Sequence, residues 1–462
     1  MRFSSDTMFK STGLVGLAGV CIAICSPVLA DKKHDEKTDT KVVQDQSADI
    51  AGPLTLEDAI RIGLKNQHSL AIAQASIVSA KASVTQSKSA YYPQVAPSYS
   101  YTNQKTTQTF NGVKQTGVVE SGITQIGANL LLFDMGKREE NVLASKYSAK
   151  SAGFSYTDVR QSVIQNITTS YYEILRRKEL VRVAQASVDR AKTTLDATRA
   201  FVENGTSPKK DILQAEADYE NADVQLSVAK NDVRLAMTTL KQSMSVLSSM
   251  PVITPDVKLP TPSANPDTTD IATYVNKAFD KRSGIKRDEA TTDTHRHTLK
   301  IAHINAGFQV NASITEGYRV DPSPGENRTF NTSFSYPLFD AGSARASVRQ
   351  AEATLEQAQR QVALTKQGIQ ADVESNLLTR EEARLRIRAT QSALRASQEN
   401  YNAARESQKE GAGTIIDVIT AQTQLVTAET NAVQALYDFY IADARFRRAI
   451  GENDPYLGGK KP

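Results

Sequence analysis

"LFDMGKREE" (Leu132–Glu140) and "LFDAGSARA" (Leu338–Ala346) share the pattern Leu-Phe-Asp-x-Gly, 206 positions apart (338 − 132). The same offset continues downstream, where Gly205 falls on Gly411. A phrase copied at a fixed offset over such a distance predicts that one structural unit occurs twice in the chain.

The offset between the two copies is larger upstream of this phrase. "PQVAPSYSY" at Pro93 matches "FQVNASITE" at Phe308, an offset of 215 (308 − 93). The first copy therefore holds nine additional residues (215 − 206) between Val95 and Phe133. We expect an insertion of this kind in a loop.

The N-terminus has the features of a secretory signal peptide. Arg2 and Lys10 flank its start, "GLVGLAGVCIAIC" forms an apolar core, and a small residue, Ala30, ends it. The only two cysteines, Cys21 and Cys25, lie inside this signal, so the mature chain has no disulfide framework. We divide the chain into a signal peptide (1–30), a charged flexible segment (31–52), a first repeat (53–250), a Pro-rich linker (251–268), a second repeat (269–450) and a C-terminal tail (451–462).

Long helices dominate both repeats. Residues 137–203 and 343–408 contain no proline, and about 65 helical residues span roughly 100 Å. In the second stretch Val348, Leu355 and Val362 recur every seven residues with alanines between them, a pattern typical of closely packed coiled-coil helices. Further helices are predicted at 54–90, 208–247, 270–303 and 414–450.

Between helices the hydrophobic period changes to two, which predicts strands at about 94–133 and 309–339. Ala312, Ile314, Phe334 and Tyr336 alternate with polar neighbours, and Glu316 is the exception. Alternation over about ten residues is typical of a transmembrane β-barrel strand. It also occurs in hairpins on a soluble core, but the remaining sequence supplies no globular core for them.

Two hairpins give four strands, which cannot close a barrel, and open edges are not tolerated in lipid. Copies of the chain must therefore associate to close the sheet. Two copies would give eight strands and a filled interior, whereas three would give twelve strands and room for a passage.

Four features of the sequence, in chain order, carry a resemblance to a known family: "LTLEDAIRIGLKNQ", "YYPQV", the doubled "LFDxG" and "GAGTIIDVITAQTQL". Over about 53–450 the chain resembles the TolC-like outer membrane efflux and secretion channels. The resemblance implies a mainly α fold with a β-barrel portion, built from two tandem helix–strand–strand–helix–helix repeats. It implies a homotrimer whose 12-stranded outer-membrane barrel continues into a long α-helical periplasmic tunnel of a Gram-negative bacterium.

The resemblance also implies a function and partners. The chain would be a passive export duct of a tripartite efflux or type I secretion system, opened by a periplasmic adaptor and an inner-membrane pump or ABC transporter. Outer-membrane lipid would surround its barrel, and it would need no cofactor and no catalytic residue. The alternative is a non-channel periplasmic coiled-coil scaffold whose hairpins cap a soluble bundle.

Two groups of site residues follow from the resemblance. At the strand-to-helix junctions the aromatic rings would lie at the bilayer interface, the aspartates would cap the helices and the glycines would ease the bend: Phe133, Asp134, Gly136, Phe339, Asp340 and Gly342. At the helical hairpin tips the adaptor-contacting residues would be Asn204, Gly205, Thr206, Gly411, Gly413 and Thr414.

Asp417 and Asp211 match family positions that ring the periplasmic entrance with carboxylates. Each also lies in the first turn of a helix, where a negative charge suits the helix dipole without any further role. Well-known members latch the closed tip with a Tyr and an Arg at the positions of Gln408 and Gly413, and place a second acid at Thr420. The closed-state latch of this chain must therefore differ.

Other site classes find no support in the sequence. His295 and His297 are two apart on a predicted helix and point to different faces, so they and His303 are interpreted as surface or packing residues rather than metal ligands. No nucleophile elbow, HExxH or P-loop pattern is present. The formal net charge is only +4 (55 basic and 51 acidic residues), without a basic arm that would bind nucleic acid.

Overall fold

The computed structural model describes residues 53–247, 259–263, 269–305, 307–319 and 324–454. The predictions for the signal peptide, the charged segment, and parts of the linker and of the tail concern residues outside this set: 1–30, 31–52, 251–258, 264–268 and 455–462.

Helices and strands follow one another in the same order in both repeats. The first repeat contains α1 (Leu56–Asn66), α2 (His68–Ser89), β1 (Gln94–Phe110), β2 (Val113–Phe133), α3 (Lys137–Glu203) and α4 (Lys210–Ser243). The second contains α5 (Ile271–Lys281), α6 (Ser283–Ile304), β3 (Gln309–Arg319), β4 (Gly325–Ser335), α7 (Ser343–Lys409) and α8 (Ile415–Ala449).

The two long helices, α3 and α7, have 67 residues each, and about 1.5 Å of rise per residue makes each roughly 100 Å long. Helix α3 packs against α2 and α6 and against α4 and α8, while α7 packs against α6 and α8. Among the described residues, no helix combines the length and the apolar character needed to cross a bilayer.

The predicted coiled-coil seam is the inward side of α7. The members of the seam are half-buried or buried: Val348, Ala351, Leu355, Ala358, Val362 and Ile369. Most residues between them are exposed. Further along the same helix, Tyr401 joins Val418, Ala421 and Leu425 of α8 in a small core. Alanine at these positions lets the helix axes approach closely, as the sequence indicated.

The predicted helices at 54–90 and 270–303 are each broken in two, which corrects the sequence prediction. The breaks fall at Gln67 and Arg282, whose backbones are extended, with ψ of 117° and 120°. The two residues are 215 positions apart (282 − 67), so the break belongs to the repeated unit. Gln67 donates its side-chain amide to the Ser243 carbonyl at 3.2 Å, and Arg282 forms an ion pair with Asp372 at 3.6 Å.

The four strands form one antiparallel sheet in the order β1-β2-β3-β4, so β1 and β4 are its edges. Strand β4 ends at Ser335, short of the predicted boundary at 339. Tyr336 and Phe339 therefore lie beyond the strand. Pro337, two residues after Ser335, has no N–H to donate to a neighbouring strand. This is a physical reason for the early end of β4.

The nine-residue insertion lengthens a hairpin, whereas the sequence predicted that it enlarges a loop. Strands β1 and β2 have 17 and 21 residues, against 11 each for β3 and β4. The turn between β1 and β2 is only Asn111-Gly112, with φ of +50° and +78°. Positive φ at both positions is the type I′ geometry that Asn-Gly adopts in two-residue hairpins.

Register places the alternating residues on two distinct faces. Directly opposed pairs put Tyr99 and Thr124, Ala128 and Ile314, and Val310 and Phe334 on one face. The other face carries Asn311 opposite Ser333 and Ser313 opposite Asn331. A register shift between Leu131 and Phe133 brings Phe133 opposite Val310. The sheet therefore has an apolar and a polar side, as the alternation predicted.

Glu316, the exception in the alternation, lies on the apolar face directly opposite Arg328. The carboxylate of Glu316 forms an ion pair with the guanidinium of Arg328, at 2.5 Å. The pair is close to the C-terminal end of β3, three residues from Arg319. A cross-strand opposite-charge pair stabilises an antiparallel sheet and removes the need for a single uncompensated charge on this face.

Candidate functional site: strand-to-helix junctions and hairpin tips

The repeated Leu-Phe-Asp-x-Gly phrase forms a tight left-handed turn in both repeats. Met135 and Gly136 have φ of +57° and +87°, and Ala341 and Gly342 have φ of +54° and +88°. The N–H after each pair donates to the carbonyl of the aspartate before it, at 3.1 Å in both repeats. Two consecutive residues at positive φ define a type I′ turn, which reverses the chain within four residues.

The turn leads straight into a long helix. The residue at the N-cap position is Gly136 or Gly342 rather than the aspartate, which corrects the sequence prediction about capping position. The aspartates reach the helix from two residues upstream. Asp134 accepts from the backbone N–H of Arg138 at 2.9 Å, and Asp340 accepts from Ala344 at 2.7 Å.

Arg138 closes the first junction around the buried Asp134. Its Nε lies 3.2 Å from the Asp134 carboxylate, and its Nη1 donates to the Leu131 carbonyl at 2.8 Å. Its guanidinium carbon also lies 5.0 Å from the centre of the Tyr91 ring. One arginine thus ties together strand β2, helix α3 and the end of α2.

The second junction lacks this arginine, because the position 206 residues after Arg138 is Ala344. Leu338 and Phe339 are 91% and 90% exposed. Asp340 is exposed as well, and hydrogen bonds from the backbone N–H groups of Ala344 and Gly342 hold the pKa of its carboxyl below its ordinary value. The two junctions share a backbone turn but differ in their side-chain environment.

Three aromatic rings lie side by side where the sheet meets the helices. Phe133 stacks on Phe308 with ring centres 5.4 Å apart, and Phe308 lies 5.2 Å from Phe334. Phe308 immediately precedes β3, so this group joins the ends of three strands. Phe339 was predicted to lie at the bilayer interface, as Phe133 was. It lies outside this aromatic group and outside any strand.

The first hairpin tip turns at Gly205, which has φ of +74°. The N–H of Thr206 donates to the Phe201 carbonyl at 2.9 Å, and the N–H of Gly205 donates to Val202 at 3.1 Å. This pair of bonds is the Schellman arrangement, which satisfies the last carbonyls of α3. Asn204 occupies the C-cap position, and the three predicted contact residues of this tip are exposed.

The second tip repeats the arrangement at Gly411, with φ of +73°. Ala412 and Gly413 both donate their N–H groups to the Ser407 carbonyl, at 2.9 and 3.0 Å. A Cβ added at Gly413 would lie 3.2 Å from the backbone nitrogen of Gln408. A side chain at this position would therefore require the Ser407–Gln408 backbone to shift by a few tenths of an ångström.

Asp417 and Thr414 begin α8 with a reciprocal capping box. The Thr414 hydroxyl accepts from the Asp417 N–H at 3.3 Å, and the Asp417 carboxylate accepts from the Thr414 N–H at 2.9 Å. The hydroxyl of Thr414 also donates to the carboxylate at 2.7 Å. These bonds hold the pKa of Asp417 below its ordinary value, so the exposed carboxylate is ionised at neutral pH.

Asp211, the equivalent residue in the first repeat, has a different environment. Helix α4 begins at Lys210, and Lys209 in the N-cap position makes no side-chain cap bond. Asp211 is half-buried, and its own N–H donates to the Pro208 carbonyl at 3.0 Å. The structure therefore places the two predicted entrance acids at corresponding helix starts, with only Asp417 in a capping box.

A polar contact joins the two helical hairpins beyond their tips, and no sequence pattern predicted it. Gln422 of α8 donates its side-chain amide to Asp218 of α4 at 2.9 Å, and Gln422 is itself buried. Burial raises the pKa of Asp218, and the hydrogen bond from Gln422 offsets part of that increase. In the sequence, Gln422 and Asp218 are two polar residues within helices, and nothing distinguishes them from exposed surface residues.

His297 forms a hydrogen-bonded contact between α6 and α3. Its Nδ1 lies 2.5 Å from the Glu140 carboxylate, and its ring stacks on Tyr147 with centres 5.3 Å apart. Lys300 lies 3.3 Å from the same carboxylate. Across the part of the chain that the structure describes, no group of three or more His, Cys, Asp or Glu residues is arranged to hold a metal ion.

This geometry is shared with a known protein family. The profile of the family described as "Outer membrane efflux protein" matches residues 59–245 and 303–452, most of the chain. The chain belongs to the outer membrane efflux protein family. This membership confirms the predicted class, an outer-membrane efflux channel, and gives no support to the scaffold alternative.

Curated relatives of the outer membrane efflux protein family cover most of the chain. It is 24% identical to the outer membrane efflux protein BepC of Brucella suis, over 86% of this chain and 85% of that protein. It is 21% identical to the outer membrane protein TolC of Escherichia coli, over 80% of this chain and 76% of that protein.

Solved structures share the fold of this family member. The outer membrane protein VceC of Vibrio cholerae has a TM-score of 0.73 at 19% identity, covering 86% of this chain and 96% of that one. The CmeC outer membrane channel of Campylobacter jejuni has a TM-score of 0.74 at 17% identity, covering 86% of each chain. The predicted fold, mainly helical with a strand portion, is confirmed.

Proposed function

We propose that this family member is the outer-membrane duct of a tripartite efflux or type I secretion machine and works as a homotrimer. In this function the sheet sits in outer-membrane lipid and the helices reach into the periplasm. A periplasmic adaptor engages the hairpin tips, and an inner-membrane pump or ABC transporter supplies the energy. The duct itself is passive and performs no catalysis.

The observation that carries the proposal is the sheet with one apolar face, one polar face and two free edges. Ile314 and Phe334 project on the apolar face, and Ser313 and Ser333 on the polar face. Edge strands with unpaired N–H and C=O groups are not tolerated in hydrocarbon, so other copies must pair with β1 and β4. Three copies give twelve strands, enough for a polar passage, whereas two give a barrel filled by side chains.

The tips supply the second part of the proposal. Both end in exposed glycine turns at corresponding positions of the repeats, Gly205 and Gly411. Three-fold symmetry would present six such turns in a ring, a repeated surface suited to an oligomeric adaptor. It would also bring three copies of Asp417 towards one axis, where carboxylates favour cations. Lys209 and Lys210 beside Asp211 would weaken the field of the second acid.

The deciding experiment uses the full chain extracted from outer membranes in detergent. Light scattering should give three times the mass of the mature chain. On gels the protein should migrate as a slow trimer band before heating and as a faster monomer band after heating. Addition to planar bilayers should give discrete, cation-preferring conductance steps. A protein that is a water-soluble monomer, or a trimer with no conductance in any tested variant, would contradict the proposal.

A further inference from the structure

The two hairpins of the sheet obey one rule of register. The pair Gln94–Asn129 of the first hairpin corresponds to Gln309–Ser335 of the second, when β1 is shifted by 215 positions (309 − 94) and β2 by 206 (335 − 129). These are the two offsets of the sequence repeat. The repeat therefore preserves strand pairing residue by residue, which makes it usable for predicting a further pairing.

Within the sheet of one chain, the two repeats meet in the β2–β3 pairing, in which Ala128 lies opposite Ile314. Applying the repeat rule to this pair gives Phe334 of β4 (128 + 206) and Tyr99 of β1 (314 − 215). These two residues lie on opposite edges of the sheet. One chain cannot bring them together without closing a four-stranded ring, so two different copies must do so.

We propose that β4 of one protomer pairs antiparallel with β1 of the next protomer, with Phe334 opposite Tyr99. The proposal rests on the association of copies in the proposed function, and it adds the register of the seam. The same rule places Ser333 opposite Ser100, Ser335 opposite Ser98 and Thr332 opposite Tyr101.

The chemistry of the two edges fits this register. Phe334 and Tyr99 are each 67% exposed in one protomer and lie on the apolar face, so pairing brings two uncovered rings together. Ser333 and Ser100 lie on the polar face. A slip of one residue would set the apolar side of one strand against the polar side of the next, which period-two alternation forbids. Slips of two keep the faces, and among these the repeat selects one.

The seam also accounts for the open second junction. Within one chain, Phe133 lies opposite Val310. The repeat rule relates this pair to Phe339 (133 + 206), which lies beyond the end of β4, and to Val95 at the start of β1 in the next protomer (310 − 215). The seam would therefore bring the 90% exposed Phe339 near the next protomer without adding it to the strand pairing. Arg138 of the same chain covers the first junction, and the next copy would cover the second.

Disulfide cross-linking tests the register. With Cys21 and Cys25, the only cysteines of the chain, replaced by serine, two cysteine pairs are introduced separately: Ser333→Cys with Ser100→Cys, and Phe334→Cys with Tyr99→Cys. Adjacent facing pairs alternate between hydrogen-bonded and non-hydrogen-bonded geometry, so the two variants sample both. Facing Cβ atoms about 4.5–5.5 Å apart are near disulfide distance, whereas diagonal neighbours are not.

The matched controls combine Ser333→Cys with Ser98→Cys or with Thr102→Cys, which are displaced by two positions on the same face. After mild oxidation in the outer membrane, boiled non-reducing gels should show dimers and trimers and no larger species. At least one facing pair should cross-link about tenfold more than either diagonal control, because the diagonal separation exceeds disulfide reach. Single-cysteine variants should give no trimer band.

The outcomes separate the seam from the proposed function. A diagonal pair that cross-links better than both facing pairs overturns the register. A protein that remains a trimer by light scattering but forms no cross-link in any variant overturns the contact between β4 and β1. A protein that is monomeric in detergent overturns the proposed trimer itself.

Discussion

The Asp417 carboxylate accepts two hydrogen bonds from Thr414, one from the hydroxyl at 2.7 Å and one from the backbone N–H at 2.9 Å. This geometry gives Asp417 a complete structural role at the start of α8. The proposed entrance role must therefore be tested with variants that separate negative charge from helix capping.

Asp417→Asn and Thr414→Ala achieve this separation. Asparagine removes the charge but keeps an oxygen that can accept from Thr414, whereas Thr414→Ala removes the hydroxyl of the cap and keeps the charge. In planar bilayers we expect Asp417→Asn to reduce cation preference and divalent-cation block, and Thr414→Ala to leave both near the parent values. Thr414→Ala should instead destabilise the helix start by about 1 kcal/mol. Equal selectivity in both variants would leave Asp417 as a helix-start residue.

The pH dependence of selectivity follows from the same bonds. Because hydrogen bonds from Thr414 lower the pKa of Asp417 from its ordinary value of 3.8, the carboxylate stays charged as pH falls from 7 to about 5. The stabilisation from the bonded carboxylate is likewise present above 3.8 and is lost as pH falls through the lowered pKa. Reversal-potential measurements should therefore show cation preference unchanged between pH 7 and about 5. A loss of preference near pH 6 would assign it to another group.

The two faces of the sheet predict unequal tolerance of charge. Ile314 lies on the apolar face and Ser313, its neighbour, on the polar face. Ile314→Arg should cost roughly 2–4 kcal/mol if its position is near the bilayer midplane, while Ser313→Arg should cost far less. The yield of heat-modifiable trimer from outer membranes provides the measurement. Equal yields from the two arginine variants would place neither face against lipid.

Much of this architecture could be predicted because long helices and strands leave regular patterns of residue types in the sequence. Proline-free stretches predicted the two long helices to within a residue at each end, and alternation predicted both hairpins. The Asn111-Gly112 turn could also have been predicted, since Asn-Gly between alternating segments is the strongest short hairpin signal. The nine additional residues were instead predicted to lie in a loop, and this prediction was wrong.

Other features depend on contacts that no local pattern encodes. Gln67 and Arg282 break their helices without glycine or proline, and each is held by a bond to a distant element. Arg138 is one basic residue among many until its bonds to Asp134 and to the Leu131 carbonyl are known. Its absence from the second repeat, where Ala344 stands, has meaning only once both junctions are compared.

The glycine of the repeated phrase gives a prediction about backbone conformation alone. Gly342 has φ of +88° and open space where a Cβ would be added. Gly368 has the same open space, but it lies within α7, where the backbone is helical. Gly342→Ala should destabilise the folded chain by about 1–2 kcal/mol, because an L-residue is strained at this φ. Gly368→Ala should stabilise α7 by up to about 1 kcal/mol. Thermal unfolding in detergent should shift in opposite directions for the two variants, and shifts of the same sign would contradict the prediction.

The Glu140–His297 contact predicts an acid-sensitive link between α3 and α6. Partial burial acts to raise the pKa of Glu140, but hydrogen bonds from His297 and Lys300 outweigh it and lower the pKa below 4.5. The stabilisation is therefore present above pH 4.5 and is lost as pH falls through the lowered value. Glu140→Gln should cost about 1–3 kcal/mol at pH 7, since it removes a charge-assisted bond from a half-buried site.

The measurement for this link is the thermal midpoint as a function of pH. The parent chain should lose stability on acidification below pH 4.5, and Glu140→Gln should lose less over the same interval, because it has no carboxylate to protonate at this site. Glu352→Gln, at an exposed position of α7, serves as the control and should follow the parent curve at every pH. Parallel curves for the parent and Glu140→Gln would show that the Glu140 carboxylate does not stabilise the contact between α3 and α6.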